Sequence, residues 1–172
     1  PGTLERLGLK PQSLLKEHRH LVIGRCSGWG NQQERRLSAG HDINYLALSG
    51  VLSAIGTPEH IVPPLNLIGD FGGASMHLAL GIVAAILSAR ESGQGSVVET
   101  SILASVLALS THLQGLRRGN LWTSQRQANL LDGGAPFYKC YRTLDDRWVP
   151  WVPSKPNSSP NWFPCWVPTS TP

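Results

Sequence analysis

Cysteine is scarce in this chain. Cys26, Cys140 and Cys165 are odd in number and far apart among 172 residues, which excludes a disulfide framework or thiolate metal site and fits a reducing, cytoplasmic setting. Long hydrophobic runs are missing as well. The longest, residues 78–87, falls short of a bilayer core about 30 Å thick, and no basic-then-apolar signal segment opens the chain, so a soluble protein without membrane partners is expected. Charged residues make up only 15% of the chain, with fifteen Lys and Arg against eleven Asp and Glu and a net charge of +4. The basic residues are spread along the sequence, so no nucleic-acid stripe is predicted, while an acidic small molecule suits the balance. "GHD" and "HIVPP" lack HExxH spacing and a convergent ligand set, which argues against a metal. "DFG" at 70–72 is coincidental, because no glycine-rich nucleotide loop or HRD-type loop accompanies it.

What is present is a moderate apolar content, 41% of residues, enough for one core and therefore one domain or part of one. The opening "PGTLERLGLK" reads like the middle of a longer protein. Residues 4–17, interrupted by Pro11, predict one or two short helical turns, and "HLVIGRCSGWG" a buried strand ending in glycines. Residues 41–56 carry helical spacing, with Tyr45, Leu48, Leu52 and Ile55 near one face. Pro63 and Pro64 end that segment, and a long apolar helix is expected from Gly72 to the glycines at 93 and 95. "SVVET" then predicts a strand, residues 100–115 a helix, and "RWVPW" another strand. Strands alternating with helices indicate an α/β fold. Residues 150–172 differ: they hold seven of the thirteen prolines, and with Trp148 four of the six tryptophans, so an irregular tail is expected.

Two residues invite a chemical reading. His41, beside Asp42 in "AGHDINYLALSG", is either a buried structural imidazole or a proton-transfer group. Asp70, in "NLIGDFGGASM", is either a near-cap carboxylate worth about 1 kcal/mol or part of a site, since Gly72 and Gly73 let another group approach the backbone. An enolate oxygen is the sort of anion that free N–H groups there would hold. His18, His20, His60 and His112 read as solvated, and His77 as a core or interface residue.

"ERLGL", "GWG", "AGHDINYLALSG", "PPLNLIGDFGGASM", "GIVAAILSARESGQGSVVET" and "ANLLDGGAPFYKCYRTLDDRWV" together resemble the family III CoA-transferase superfamily, and within it the α-methylacyl-CoA racemase branch, over residues 1–149. The resemblance implies part of the Rossmann-like large domain of an interlocked homodimer. It further implies a reaction of lipid metabolism in which the R and S forms of 2-methylacyl-CoA thioesters interconvert through an enolate. It places the family's two bases at His41 and Asp70, its CoA-directed arginine at Arg6 and the asparagine that supports the aspartate at Asn66, with Asp42, Tyr45, Gly72 and Gly73 lining the site. An imidazole and a carboxylate can each serve as acid or base. No cofactor is expected beyond the CoA carried by the acyl-CoA substrate. CoA-transferases of the superfamily use the aspartate at position 70 as a nucleophile instead, which remains the rival reaction.

Past Val149 the sequence leaves the pattern. Its codons, shifted by one base, permit A-V-G-A-I-E-A-Q-F-F-A-E-L, which is family-like, so residues 150–172 are expected to be a frameshift product, set apart from a partial domain at 1–149. The family's histidine-assisting glutamate would straddle Ser154 and Lys155. This polypeptide is therefore expected to fold weakly, with apolar surface exposed, and to have little or no activity. An inactive fragment, or an interaction protein that uses the Pro- and Trp-rich tail as a ligand, is the non-enzymatic alternative.

Overall fold

The computed structural model describes residues 2–31 and 34–152. The expectations about residues 153–172 lie outside them. The chain divides into two compact units, Pro1–Leu52 with Pro63–Gly115, and Ser53–Val62 with Leu116–Pro172.

In the first unit, α1 (Thr3–Arg6) and α2 (Pro11–Glu17) form the two short turns expected, with Pro11 at the start of α2, where its missing N–H has no helical partner to lose. β1 (Ile23–Ser27) and β2 (Val97–Ser101) pair in parallel, Ile23 opposite Val97 through Ser27 opposite Ser101. Parallel strands need a long crossover, and here it contains α3 (Asp42–Leu48), a π-helical turn (Leu67–Ser75) and α4 (Met76–Ser92). Gly93, at φ 72°, closes α4 in the left-handed region, where glycine carries no steric penalty. Two missing side chains seat α4 on the sheet. A Cβ at Gly81 would come within 2.7 Å of Val98 in β2, and one at Gly24 in β1 within 2.6 Å of Ile82. α5 (Ile102–Leu109) follows β2, capped by the Ser101 hydroxyl, which accepts the Ala104 N–H at 3.2 Å.

Several expectations are corrected. α3 stops at Leu48, short of residue 56, because Gly50 turns left-handed at φ 78°; Tyr45 and Leu52 are buried, but Leu48 is 54% exposed. β1 is only half covered, with Gly24 and Cys26 exposed. The helix expected over 100–115 is two helices, α5 and α6 (Thr111–Arg118). They part where the Ser110 and Thr111 hydroxyls bond back to Leu107 and Ala108 carbonyls at 3.1 and 2.7 Å, competing with the helical ladder. His77 is exposed in this chain and so is not a core residue, and it bonds the Gly73 carbonyl through Nδ1 at 2.7 Å.

The apolar run at 78–87 is part of a longer helix. The π turn runs directly into α4, giving 26 continuous helical residues, Leu67–Ser92, with mean hydropathy 1.7 over an 18-residue stretch. The glycines and serine that punctuate the sequence do not interrupt this helix, which by length and composition alone could cross a membrane. Gly24, Ile82, Gly81 and Val98 seat one face of it on β1 and β2, while only 11% of that apolar stretch is buried. Its outer face stays open, with Leu80 70% and Val83 and Leu87 56% exposed.

The second unit centres on Asn129, buried and fully engaged. Its side-chain oxygen accepts the Thr123 N–H at 2.7 Å, and its amide donates to Gln125 and Thr123 carbonyls and to Asp132. Arg126 gathers the carbonyls of Ser53, Thr57 and Pro58. β3 (Lys139–Arg142) and β4 (Trp148–Trp151) form an antiparallel hairpin. β4 is the strand expected at "RWVPW", and its pairing continues through Pro150 and Trp151.

Candidate active site

The first unit brings Asp42 and Tyr45 to Asp70, with His41 next to Asp42 in the chain. His41 caps the N-terminus of α3 in extended conformation. Its backbone N–H donates to Asn44 Oδ1, and its carbonyl accepts the Asn44 N–H, both at 2.9 Å. This reciprocal closure fixes the direction from which His41 leaves the helix, and the residue is exposed. Asp42 is the first residue of α3 and is 7% exposed. Its Oδ2 accepts the backbone N–H of Asp70 at 2.8 Å. The residue beside one candidate base thus grips the backbone of the other.

Asp70 does not precede the helix, as its place before Gly72 suggested; it lies within it. The helix begins at Leu67, and the Phe71 N–H reaches back to Asn66 at 3.3 Å. Gly72 and Gly73 are therefore inside the helix rather than at its open end. Gly73 is buried in ordinary contact with Ser105 and Val106 of α5, and a Cβ there would stand 2.8 Å from the Ile68 carbonyl, so its small size serves the π turn itself. Gly72 approaches the Leu67 carbonyl one π turn earlier. Asn66 is the exposed N-cap residue of this helix, and Leu65 before it takes φ 57°, a conformation that non-glycine residues adopt uncommonly.

Tyr45 forms the floor beside Asp70. It is 3% exposed and meets Trp29 edge-to-face, ring centroids 4.5 Å apart. Two glycines make room for it. A side chain at Gly28 would overlap the Tyr45 phenol, and one at Gly40 would lie 2.7 Å from Trp29 and 2.8 Å from the Tyr45 hydroxyl. Burial, then the charges of Asp70 and Cys26, push the Tyr45 phenol above its ordinary value. The Cys26 thiol, partly covered although the residue as a whole is exposed, is raised too, by that partial burial first and by Asp70 second. Cys26 was read as an ordinary thiol, and no local pattern in the sequence ties it to Asp70. The glycines flanking Trp29 and preceding His41 were the available signal for Tyr45.

Cys26 also lines a cavity of about 240 Å³ with Thr3, Leu4, Arg25, Asn31 and Glu99. Arg25 pairs with Glu5 at 3.0 Å and Glu99 at 3.2 Å, and Asn31 donates to Glu99 at 2.9 Å. Arg6, the last residue of α1, stands exposed beside this cavity's α1 wall and donates to the Thr3 hydroxyl at 3.2 Å. Among the described residues no group of three His, Cys, Asp or Glu side chains could hold a metal.

The model of CoA-transferase family III matches residues 1–164. The chain belongs to CoA-transferase family III. Among its relatives, α-methylacyl-CoA racemase of Mus musculus is 45% identical over 149 residues, 86% of this chain and 39% of that protein. Succinyl-CoA–D-citramalate CoA-transferase of Chloroflexus aurantiacus is 33% identical over 151 residues, 86% of this chain and 37% of that one. A crystal structure of a CaiB/BaiF family protein from Brucella suis shares the fold, with a TM-score of 0.71 at 15% identity, over 88% of this chain and 39% of that one. The chain thus spans about two fifths of the length of the curated relatives it matches. The mixed helix and strand architecture is that of the family III fold, of which this chain carries a part.

Proposed function

We propose that this chain carries the two proton-transferring residues of an α-methylacyl-CoA racemase, and that His41 and Asp70 act from opposite faces of a 2-methylacyl-CoA thioester. One removes the α-proton; the thioester oxygen takes up the charge as an enolate; the other returns a proton to the far face, so composition is unchanged and configuration inverts. The observation that carries this reading is the Asp42 to Asp70 bond at 2.8 Å, which joins the α3 terminus bearing His41 to the turn bearing Asp70. Identity to a racemase over most of this chain supports it. Arg6, next to the cavity edged by α1, is the candidate for the CoA moiety. The reading includes a homodimer in a reducing compartment, the open face of α4 offering apolar surface for contact.

The test is α-proton exchange in D2O, followed by mass spectrometry of R and S 2-methylacyl-CoA at high protein concentration, because a slow rate is expected of this chain. Exchange that His41→Ala abolishes from one enantiomer and Asp70→Asn from the other supports the reading. No exchange with thioester demonstrably bound, or exchange indifferent to both changes, refutes it.

The identity to a succinyl-CoA-dependent transferase supports the second reading, with Asp70 as nucleophile. A covalent CoA adduct on Asp70, together with activity that survives His41→Ala, would establish that reaction instead.

A further inference from the structure

Asp42 presents a buried carboxylate whose use is not obvious from its place in α3. An ionised side chain at the first helical position ordinarily faces water and favours the dipole from there. This one is 7% exposed, and its Oδ1 is buried with no hydrogen-bond partner among the described residues. Burial of a half-satisfied carboxylate is costly. A neutral acceptor could satisfy one N–H for less. What the charge adds is a shorter and stronger bond, and that bond goes to a single group, the Asp70 N–H at 2.8 Å.

The π turn explains why that N–H is available. In an α-helix the N–H of residue 70 would bond the carbonyl of residue 66. Here Phe71 takes the Asn66 carbonyl, so the ladder is displaced by one residue and Asp70 is left with an orphan donor at the helix start. Gly69 completes the arrangement: any side chain there would overlap the Asp42 carboxylate. Gly69 has no positive φ, so its lack of a side chain is needed for space and not for backbone shape.

We propose that Asp42 is a positioning residue: its carboxylate, closed over Gly69 and bonded to the Asp70 backbone, sets Asp70 in register with His41, its own neighbour. Its consequence for catalysis rests on the racemase reading above; the tether itself does not. A loose tether lets the π turn drift relative to α3, and a proton-transfer pair tolerates little misplacement.

The experiment is amide hydrogen exchange by NMR on the 172-residue chain and on Asp42→Asn, Asp42→Ala and Gly69→Ala, with α-proton exchange assayed in parallel. Asp42→Asn keeps an acceptor. Asp42→Ala removes it, and Gly69→Ala displaces it while improving local helix propensity. Exchange of the Asp70 amide is expected to quicken about tenfold in the two alanine variants, as loss of one hydrogen bond implies. It should be intermediate in Asp42→Asn, which keeps an acceptor without the charge, and the amides of α4 should not change. The same two variants are expected to lose kcat with KM unmoved, and Asp42→Asn to recover part of it. The proposal is overturned if the Asp70 amide stays protected in Asp42→Ala, if protection is lost evenly through α4, or if kcat holds while that amide is released. A parent chain that binds thioester without exchanging it sinks the racemase reading, and the amide result still decides the tether.

Discussion

Gly81→Ala should be harmful in the parent chain and helpful once Val98 is trimmed. Position 81 is central in α4, where alanine is favoured over glycine by about 1 kcal/mol. Against that gain, the new Cβ would stand 2.7 Å from Val98 Cγ1, an overpacking that costs about 1–3 kcal/mol. The net expectation for Gly81→Ala is a loss of roughly 0–2 kcal/mol. Val98→Ala alone forfeits roughly 1 kcal/mol of half-buried apolar contact. In the double variant the next atom is Val98 Cβ at 4.0 Å, an ordinary contact, so the helix gain stands unopposed. The two effects should therefore depart from additivity by about 1–3 kcal/mol. Urea unfolding of the four proteins, followed by circular dichroism, measures this. Additivity within about 0.5 kcal/mol would mean that α4 is not seated on β2 at Gly81, and the placement of Asp70, on the same continuous helix, would lose its support.

Other outcomes follow from the same packing and electrostatics. Alkylation of Cys26 by iodoacetamide should reach half-maximal rate above the ordinary thiol value of 9.0, because burial and the Asp70 charge disfavour the thiolate; Asp70→Asn should move that profile down, and an unmoved profile would separate the two residues. Gly28→Ala should destabilise the first unit by about 1–3 kcal/mol through overlap with Tyr45, seen as a lower urea midpoint. Asn129→Ala should cost the second unit about 0.5–1.5 kcal/mol, since it removes the buried amide's hydrogen bonds to Thr123, Gln125 and Asp132; unchanged proteolytic resistance of residues 116–152 would contradict this. Burial opposes the charged form of Asp132, but hydrogen bonds from Asn129 and Gly134 outweigh it and hold the carboxyl below its ordinary 3.8. A folded-state value below the unfolded one stabilises the fold above 3.8 and loses that contribution as pH falls through the folded value; Asp132→Asn should flatten this acid limb of the stability curve.

The sequence by itself determined the alternation of elements and the family, and it singled out His41 and Asp70 as candidates, because each is carried by local features: hydrophobic period, proline and glycine punctuation, and long contiguous motifs. β1, β2, the glycine stop of α4 and the hairpin strand at Trp148 were all legible on those grounds. It misjudged the 67–75 segment, since glycines that look like a helix start in a string can sit inside a π turn when Asn66, Asp42 and α5 supply the partners. It likewise ran α5 and α6 together, because back-bonding by Ser110 and Thr111 leaves no mark on apolar spacing. Only the tertiary structure decided that Asp42 holds Asp70, that Tyr45 lies between Gly28 and Gly40, and that Cys26 feels the Asp70 charge. Those relations join residues up to 44 positions apart, and no local periodicity records which side chain a distant glycine leaves room for.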